Sequence, residues 1–187
     1  MVDSEQEDPT SAASLAFRMI FYYFAFLSVV LIGLPMLFDY LGEFVVEHSV
    51  GMPFLNPGLG QKIIGGLIGI GSLIGYTICS LWLVIVGKGP FVEFDPPKHF
   101  VASGPYRWVR NPVVLFLLTT ILGEAIYFGS LGILILLLLG IPFAQFQATR
   151  IEEPRLTERF GESYLDYCKR VPRWFPRPPR DDPTESS

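Results

Sequence analysis

Charged side chains are scarce in this sequence. They make up 17% of its 187 residues, against about 25% in an average soluble domain. Half of the residues are hydrophobic, and the mean hydropathy is +0.42. This composition excludes a disordered chain, a collagen-like fibre and an ordinary water-soluble domain. It indicates a small integral membrane protein built as one helical bundle.

Cysteine and histidine are rarer still, with two residues of each. Two cysteines cannot form a disulfide-rich scaffold, and no Cys, His or Asp cluster has the spacing of metal ligands. The sequence also lacks a P-loop for phosphate and a Ser–His–Asp set. With a net charge of −4, it lacks the basic character of nucleic-acid-binding proteins. We therefore expect neither a metal site nor a nucleic-acid partner.

The negative net charge arises at the two ends of the chain. Seven carboxylates lie there: Asp3, Glu5, Glu7, Asp8, Asp181, Asp182 and Glu185. The rest of the chain carries 14 basic and 11 acidic side chains, a net charge of +3. Because both ends are also rich in Ser, Thr and Pro, we expect disordered tails at 1–14 and 177–187 around one domain at 15–176.

Three stretches of the chain are almost free of charge: 19–38, 63–87 and 111–149. A helix crosses the hydrocarbon core with about 20 apolar residues, so the third stretch is long enough to cross twice. Glycines at 129 and 132 allow a turn that divides it. The sequence thus predicts an all-α integral membrane fold with four transmembrane helices, at about 17–39, 62–87, 112–128 and 132–149.

The second predicted span is rich in glycine. Its glycines do not have the G-x-G-x-x-G spacing, and no strand precedes them, which argues against a nucleotide-binding loop. They follow instead the small-x-x-x-small pattern, which lets two helix backbones approach closely in a membrane. The residues concerned are Gly65, Gly69, Gly71, Gly75 and Cys79.

Basic residues are concentrated in two segments, 88–110 with four and 150–180 with eight, whereas the loop after the first span has only Lys62. Four spans place both basic segments on the same side of the membrane, and the positive-inside rule makes that side cytoplasmic. Both termini are then cytoplasmic as well. We expect no disulfide between Cys79 and Cys168 in this compartment.

The first basic segment ends in a tight turn. Ser103, Gly104, Pro105 and Tyr106 have the residue types of a turn, and Arg107 and Arg110 share a face if the chain is helical there. Asn111 and Pro112 then begin the third span. The simpler alternative is an interfacial anchor of basic and aromatic side chains.

The second basic segment leaves the membrane with two adjacent carboxylates, Glu152 and Glu153. An apolar stripe with helical spacing follows: Leu156, Phe160, Tyr164, Tyr167 and Val171. This pattern predicts an amphipathic C-terminal helix, with Gly161 as a point where it can break, that caps the bundle or lies on the membrane. A plain interfacial helix explains the stripe but not the carboxylates, because charge at a membrane exit is costly unless matched.

These two segments together resemble a known family. The sequence GPYRWVRNP at 104–112, followed after a helical hairpin by Glu152 and Glu153, is similar to the isoprenylcysteine carboxyl methyltransferases. Phospholipid N-methyltransferases have a related arrangement. The resemblance covers about residues 90–176 and includes Leu156, Phe160, Gly161, Tyr164, Tyr167, Val171 and Pro172.

The resemblance implies S-adenosylmethionine as cofactor and a lipid-like or prenylated acceptor that enters from the membrane. Glycine-turn N–H groups and an arginine suit the methionine carboxylate, a glutamate suits ribose hydroxyls, and tyrosines suit adenine or the sulfonium. The implied cofactor-binding residues are Gly104, Pro105, Tyr106, Arg110, Asn111, Pro112, Glu152, Glu153, Tyr164 and Tyr167. Arg150 is expected to steer an anionic acceptor, and Glu153 to bind the cofactor or to orient that arginine.

Two positions depart from the family pattern. Many members have His where this chain has Asn111, and Tyr where it has Val114. The expected reaction is carboxyl O-methylation of an isoprenylcysteine-like acceptor. N-methylation of a phospholipid and a non-catalytic membrane protein of the same fold remain the alternatives. Glu124, the one ionisable residue in the predicted hairpin, either has a functional role or reaches the outer interface.

Overall fold

The protein is mostly helical over the residues that its computed structural model describes, 9–49, 57–88 and 99–179, and the main non-helical stretches among them are 99–103, 108–111 and 171–179. Seven α-helices follow one another: α1 Pro9–Ser28, α2 Leu34–Ser49, α3 Leu59–Gly87, α4 Pro112–Phe128, α5 Leu131–Gln147, α6 Glu153–Phe160 and α7 Glu162–Arg170. The π-helical turns Val29–Gly33 and Ala148–Glu152 join α1 to α2 and α5 to α6 without a break in the helix. A short 3₁₀ helix occupies Gly104–Arg107.

Within the described residues, three helical segments are long and apolar enough to cross a membrane: Ile20–Phe44, Leu59–Gly87 and Leu131–Phe160. This confirms an all-α protein with membrane-spanning character. The third predicted span corresponds to α4, which is apolar but has only 17 residues, so the number of four spans remains a prediction. The predicted orientation and the cytoplasmic side of the C-terminal helices remain predictions too.

The first helical rod is longer than the apolar run that predicted it. It begins at Pro9, inside the segment 1–14 expected to be a tail, and continues to Ser49, past the predicted end at 39. A charged residue such as Asp39 ends an apolar run, but it does not end a helix, because aspartate costs a helix interior only about 0.7 kcal/mol relative to alanine, against about 3 kcal/mol for proline. The predicted tail residues 1–8 and 180–187 lie outside the described residues.

The turn between α4 and α5 lies where the glycines predicted it. Gly129 follows α4 in the left-handed conformation, and Ser130 caps α5 by accepting a hydrogen bond from the N–H of Ile133 at 3.1 Å. Near this end of α4, one carboxyl oxygen of Glu124 is buried and has no hydrogen-bond partner within the described residues.

Helices α3 and α4 form the most extensive helix contact of the bundle. A Cβ atom built on Gly65 would lie 2.5 Å from the backbone nitrogen of Tyr127, and one built on Gly123 would overlap the backbone of Gly69. Only glycine permits this approach, as the small-residue pattern predicts. Gly75 makes room for the ring of Phe116, whereas Gly71 faces open space and takes no part.

The predicted C-terminal amphipathic helix is present as two pieces. Gly161 has a φ of +54°, a left-handed conformation that favours glycine, and it separates α6 from α7. Tyr164, Tyr167 and Val171 of the apolar stripe are buried together, with Phe100 packed against them. The stripe therefore covers the loop at 99–111 rather than facing a lipid surface alone.

Candidate functional site

Two segments that are distant in sequence lie side by side at one end of the bundle. They are the loop at 99–111 and the C-terminal segment at 171–179. The backbone N–H of Arg110 donates to Pro172 O at 2.8 Å, and that of Arg177 donates to Trp108 O at 3.0 Å. Contacts with the rest of the protein thus extend one residue past the domain end predicted at 176. The indole N–H of Trp174 also donates to Gln145 Oε1 of α5, at 2.6 Å.

An aromatic cluster joins α7 to the same loop. The ring of Phe100 lies 5.2 Å from that of Tyr167 and 5.8 Å from that of Tyr164, both in edge-on geometry. The hydroxyl of Tyr167 donates to the backbone oxygen of Tyr106 at 2.7 Å, in a buried position. These contacts fix the position of the Gly104–Arg107 turn relative to the C-terminal helices.

We expect Tyr167→Phe to destabilise the protein, because it leaves the carbonyl oxygen of Tyr106 buried without this donor. An unmet buried hydrogen bond costs about 1–3 kcal/mol, so the melting temperature in detergent should fall. Tyr40→Phe is the matched control, since Tyr40 is 67% exposed and should tolerate the same change. Equal melting temperatures for the two variants would contradict the structural role of this bond.

Glu153 is the centre of a charged cluster. Its Oε1 accepts from Arg110 Nη1 at 2.9 Å and from Arg173 Nε at 2.6 Å, and its Oε2 accepts from Arg173 Nη2 at 2.9 Å. Arg110 Nη1 also lies 2.9 Å from Cys168 Sγ. The three charged side chains are largely shielded, with exposures of 12% for Arg110, 20% for Glu153 and 27% for Arg173. We call these four residues the Glu153 cluster.

The surroundings raise the pKa of Arg173 and of three tyrosines at this end of the bundle. The hydrogen bond to Glu153 raises the pKa of Arg173 above its already high value. Burial raises the pKa of Tyr106, Tyr164 and Tyr167. The charge of Glu152 adds to the rise in pKa at Tyr106 and Tyr167, which places this carboxylate near that tyrosine pair. The three hydroxyls therefore act as neutral hydrogen-bonding groups.

The Gly104 turn is held against α3 by a tryptophan. Gly104 has a φ of +57°, and a Cβ atom there would overlap the indole ring of Trp82. The Trp82 N–H donates to Ser103 Oγ at 3.2 Å. Glycine is needed here both for its backbone conformation and for the close approach of the ring.

The structure brings most of the predicted site residues to this end of the bundle. Arg110 and Glu153 are in direct contact, Tyr106 and Tyr167 share a hydrogen bond, and Tyr164 packs beside them. Pro105 and Pro112 line an apolar cleft nearby, and Asn111 is the N-cap residue of α4. Arg150 and Glu152 lie on the π-helical turn before α6 and are exposed.

Three contributors were not predicted as site residues: Arg173, Cys168 and Trp82. Arg173 follows the last stripe residue, Val171, by two positions, and this spacing does not mark it as a partner of Glu153. Cys168 and Trp82 gave no signal either, because their role depends on the packing of α7 and α3 against the loop.

The cluster has unused capacity for an anionic ligand. Arg110 Nε is buried and has no hydrogen-bond partner among the residues that the structure describes. Buried polar groups are normally paired, so this donor suits a carboxylate oxygen of a ligand such as the methionine part of S-adenosylmethionine. The described residues contain no group of three or more His, Cys, Asp or Glu that could hold a metal ion.

The apolar cleft beside the turn has a volume of about 220 Å³. Its walls are Pro105, Trp108, Val109, Pro112, Leu115, Phe116 and Pro176. Sites for whole drug-sized ligands have about 300–1,000 Å³ and a few polar groups. This cleft is smaller and lacks polar walls, so it suits part of a hydrocarbon chain better than a nucleoside.

Comparison with known sequences identifies the family. The sequence profile described as phospholipid methyltransferase matches residues 64–163, which is more than half of the chain. The chain belongs to this family. The match to the phospholipid methyltransferase profile runs from α3 to α7 and includes the Gly104 turn, Arg110, Glu152 and Glu153. It confirms the resemblance to membrane methyltransferases of the isoprenylcysteine and phospholipid type.

One curated relative of this phospholipid methyltransferase family member is the cobalt-zinc-cadmium resistance protein CzcN of Cupriavidus metallidurans. The two sequences are 30% identical over 112 residues, which is 60% of this chain and 48% of the relative. The chain thus spans about half the length of that relative. No solved structure matches the chain.

Proposed function

We propose that this protein transfers a methyl group from S-adenosylmethionine to an amphiphilic acceptor embedded in the membrane. The observation that carries the proposal is the Glu153 cluster, in which the family-matched loop residue Arg110 and the exit carboxylate Glu153 are in direct contact. Family membership and the apolar helices support the same activity. S-adenosylmethionine, when bound, supplies a methyl group that is already activated by its sulfonium.

The protein's own residues then have to bind the cofactor and the acceptor, orient them towards each other and exclude water. Arg110 would hold a carboxylate through its Nε, which has no hydrogen-bond partner within the described residues, and the N–H groups of the Gly104 turn lie on the same segment. Tyr164 and Tyr167 are buried against Phe100 and hold the Gly104 turn in place, so the contact with adenine or the sulfonium that the resemblance implies for them stays a prediction. Holding oxygen, methyl and sulfur in line can lower the barrier by about 7–11 kcal/mol. A carboxylate acceptor requires no general base, whereas an ammonium acceptor has to lose a proton before its nitrogen can take the methyl group.

Carboxyl O-methylation of an isoprenylcysteine-like acceptor is the first candidate reaction. It is supported by the resemblance of residues 104–112, Glu152 and Glu153 to the isoprenylcysteine carboxyl methyltransferases, and by Arg150, whose exposed positive charge attracts a carboxylate. N-methylation of a phospholipid is the second candidate, because the family profile carries that description. The cleft at Pro105 and Leu115 would take part of the acceptor's hydrocarbon chain in either reaction.

The purified protein should be incubated with S-adenosylmethionine labelled in its methyl group and with two acceptors. One is an S-prenylated cysteine derivative with a free carboxylate, and the other is phosphatidylethanolamine in vesicles. A base-labile label in the first indicates an ester, and a base-stable label in the second indicates an amine. A protein that binds no S-adenosylhomocysteine by calorimetry in detergent, and labels neither acceptor, would contradict the proposed function and favour a non-catalytic membrane protein.

Arg150 is expected to act on the acceptor rather than on the cofactor. Its guanidinium is exposed on the π-helical turn next to Glu152, where it can meet an anionic head group at the membrane surface. We expect Arg150→Ala to raise KM for a carboxylate acceptor by about tenfold, the value of one charge-assisted hydrogen bond. Binding of S-adenosylhomocysteine should not change. The control is Arg107→Ala, an exposed arginine of the other segment; an equal effect of both changes would contradict a specific role.

A further inference from the structure

Arg173 and Arg110 bind Glu153 in different ways. Arg173 donates from Nε and Nη2 to both carboxylate oxygens, whereas Arg110 donates only from Nη1 to one of them. Bidentate pairs between arginine and a carboxylate are among the strongest and most directional in proteins. Glu153 is therefore bound mainly by Arg173, and Arg110 has only part of its guanidinium engaged.

The remaining part of Arg110 is the unusual feature. Its Nε is buried without a hydrogen-bond partner within the described residues, although Glu153 is in contact with the same guanidinium. If Arg173 were absent, the carboxylate could turn both oxygens to Arg110 and neutralise it. The charge of the three side chains would then fall from +1 to zero.

We infer that Arg173 is a positioning residue that occupies Glu153 and so keeps Arg110 available for the carboxylate of a ligand. This inference rests on the proposed function, and it goes further by giving a role to a residue outside the matched family region at 64–163. A carboxylate is present both in the methionine part of the cofactor and in an isoprenylcysteine-like acceptor, and the experiment below distinguishes them.

The backbone around Arg173 is held independently of its side chain. Pro172 O accepts from the Arg110 N–H, Trp174 donates to Gln145, and the Arg177 N–H donates to Trp108 O. Loss of the Arg173 side chain should therefore leave the C-terminal segment in place. This makes the role of the side chain testable in a folded protein.

The test is calorimetry in detergent on the full chain and its Arg173→Gln variant, with two nucleosides. S-adenosylhomocysteine carries the amino acid carboxylate, and methylthioadenosine lacks it. We expect the variant to bind S-adenosylhomocysteine about tenfold more weakly or worse, the effect of losing one charge-assisted hydrogen bond. Its affinity for methylthioadenosine should stay within about twofold. Arg177→Gln is the control, because it removes the same charge from the same segment while the backbone bond of Arg177 remains.

The result is different if the carboxylate that Arg110 binds belongs to the acceptor and not to the cofactor. Both nucleosides then bind Arg173→Gln as they bind the wild type, and KM for the carboxylate acceptor rises about tenfold while kcat is kept. Arg173→Lys restores the charge but not the two-oxygen contact, so it should recover part of the loss in either arm. If Arg173→Gln does not purify as a folded protein, the same measurements are made on Arg173→Lys. We then expect a smaller loss of affinity, confined to the compound that carries the carboxylate.

The inference is overturned if Arg173→Gln weakens both nucleosides equally, or if neither the nucleosides nor the acceptor is affected. Failure of the proposed function looks different, because the wild type itself would then bind neither nucleoside and methylate neither acceptor. That result would overturn both proposals.

Discussion

Glu153→Gln is expected to lower the melting temperature and to reduce methyl transfer about tenfold or more, the value of one charge-assisted hydrogen bond, because Arg110 loses the carboxylate that orients its guanidinium. The change leaves Arg110 and Arg173 side by side in a shielded site without the carboxylate that both contact. Removing one partner of a fully buried ion pair costs about 3–5 kcal/mol. The cost here should be smaller, because the three side chains are 12–27% exposed, but the two guanidinium groups also repel each other. The amide nitrogen of Gln would also face an arginine donor. Binding of S-adenosylhomocysteine and thermal unfolding in detergent measure the two effects separately.

A nearby glutamate provides the control for this change. Glu158 lies on the same helix, α6, and is exposed, so Glu158→Gln should have no effect on binding and little on stability. The double change Glu153→Gln with Arg173→Gln should recover part of the lost melting temperature, because it removes the repulsion, but not the lost activity. The role of the Glu153 cluster would be contradicted if the Glu153→Gln protein bound S-adenosylhomocysteine and transferred methyl groups as the wild type does.

Gly123→Ala should separate α3 from α4 and destabilise the whole bundle. A Cβ atom at this position would overlap the backbone of Gly69, which cannot move aside as a flexible side chain could. Overpacking costs about 1–3 kcal/mol, and sometimes more. In a protein of this size each kcal/mol lowers the melting temperature by about 2–4 °C.

Gly71→Ala is the matched control on α3. A Cβ atom at Gly71 meets nothing within 4 Å, and alanine is the better helix former by about 1 kcal/mol. Gly123→Ala should therefore lower the melting temperature, whereas Gly71→Ala should raise it or leave it unchanged. A Gly123→Ala protein as stable as Gly71→Ala would contradict the close contact between the two helices.

The helices could be predicted because their signals are local. Long apolar runs marked α3 and the α4–α5 hairpin, and the spacing of Tyr164, Tyr167 and Val171 marked the C-terminal amphipathic segment. The same spacing marked its buried face. The ends of the helices were less predictable, since Asp39 limits the hydrocarbon-facing part of its helix but not the helix itself.

The site could be predicted only in part. Arg110 and Glu153 were found through family resemblance, and their direct contact agrees with the expectation that the two segments meet. Arg173 was missed because its role depends on its contact with both carboxylate oxygens of Glu153. No spacing in the sequence predicts that contact. Trp82 was missed because a tryptophan near a membrane surface is common. Only the structure shows that its ring leaves no room for a Cβ atom at position 104.

The amino-acid order by itself determined that this chain is a helical membrane protein, where most of its helices lie and which face of α7 is apolar. These properties follow from hydrophobic runs and helical periodicity, which act over a few turns of the chain. Only the tertiary structure decided that Arg173 binds both oxygens of Glu153, and that Arg110 Nε is buried without a hydrogen-bond partner in the described part of the chain. Such pairing is set by distances between segments 20 and 43 residues apart, and folding alone brings those segments together.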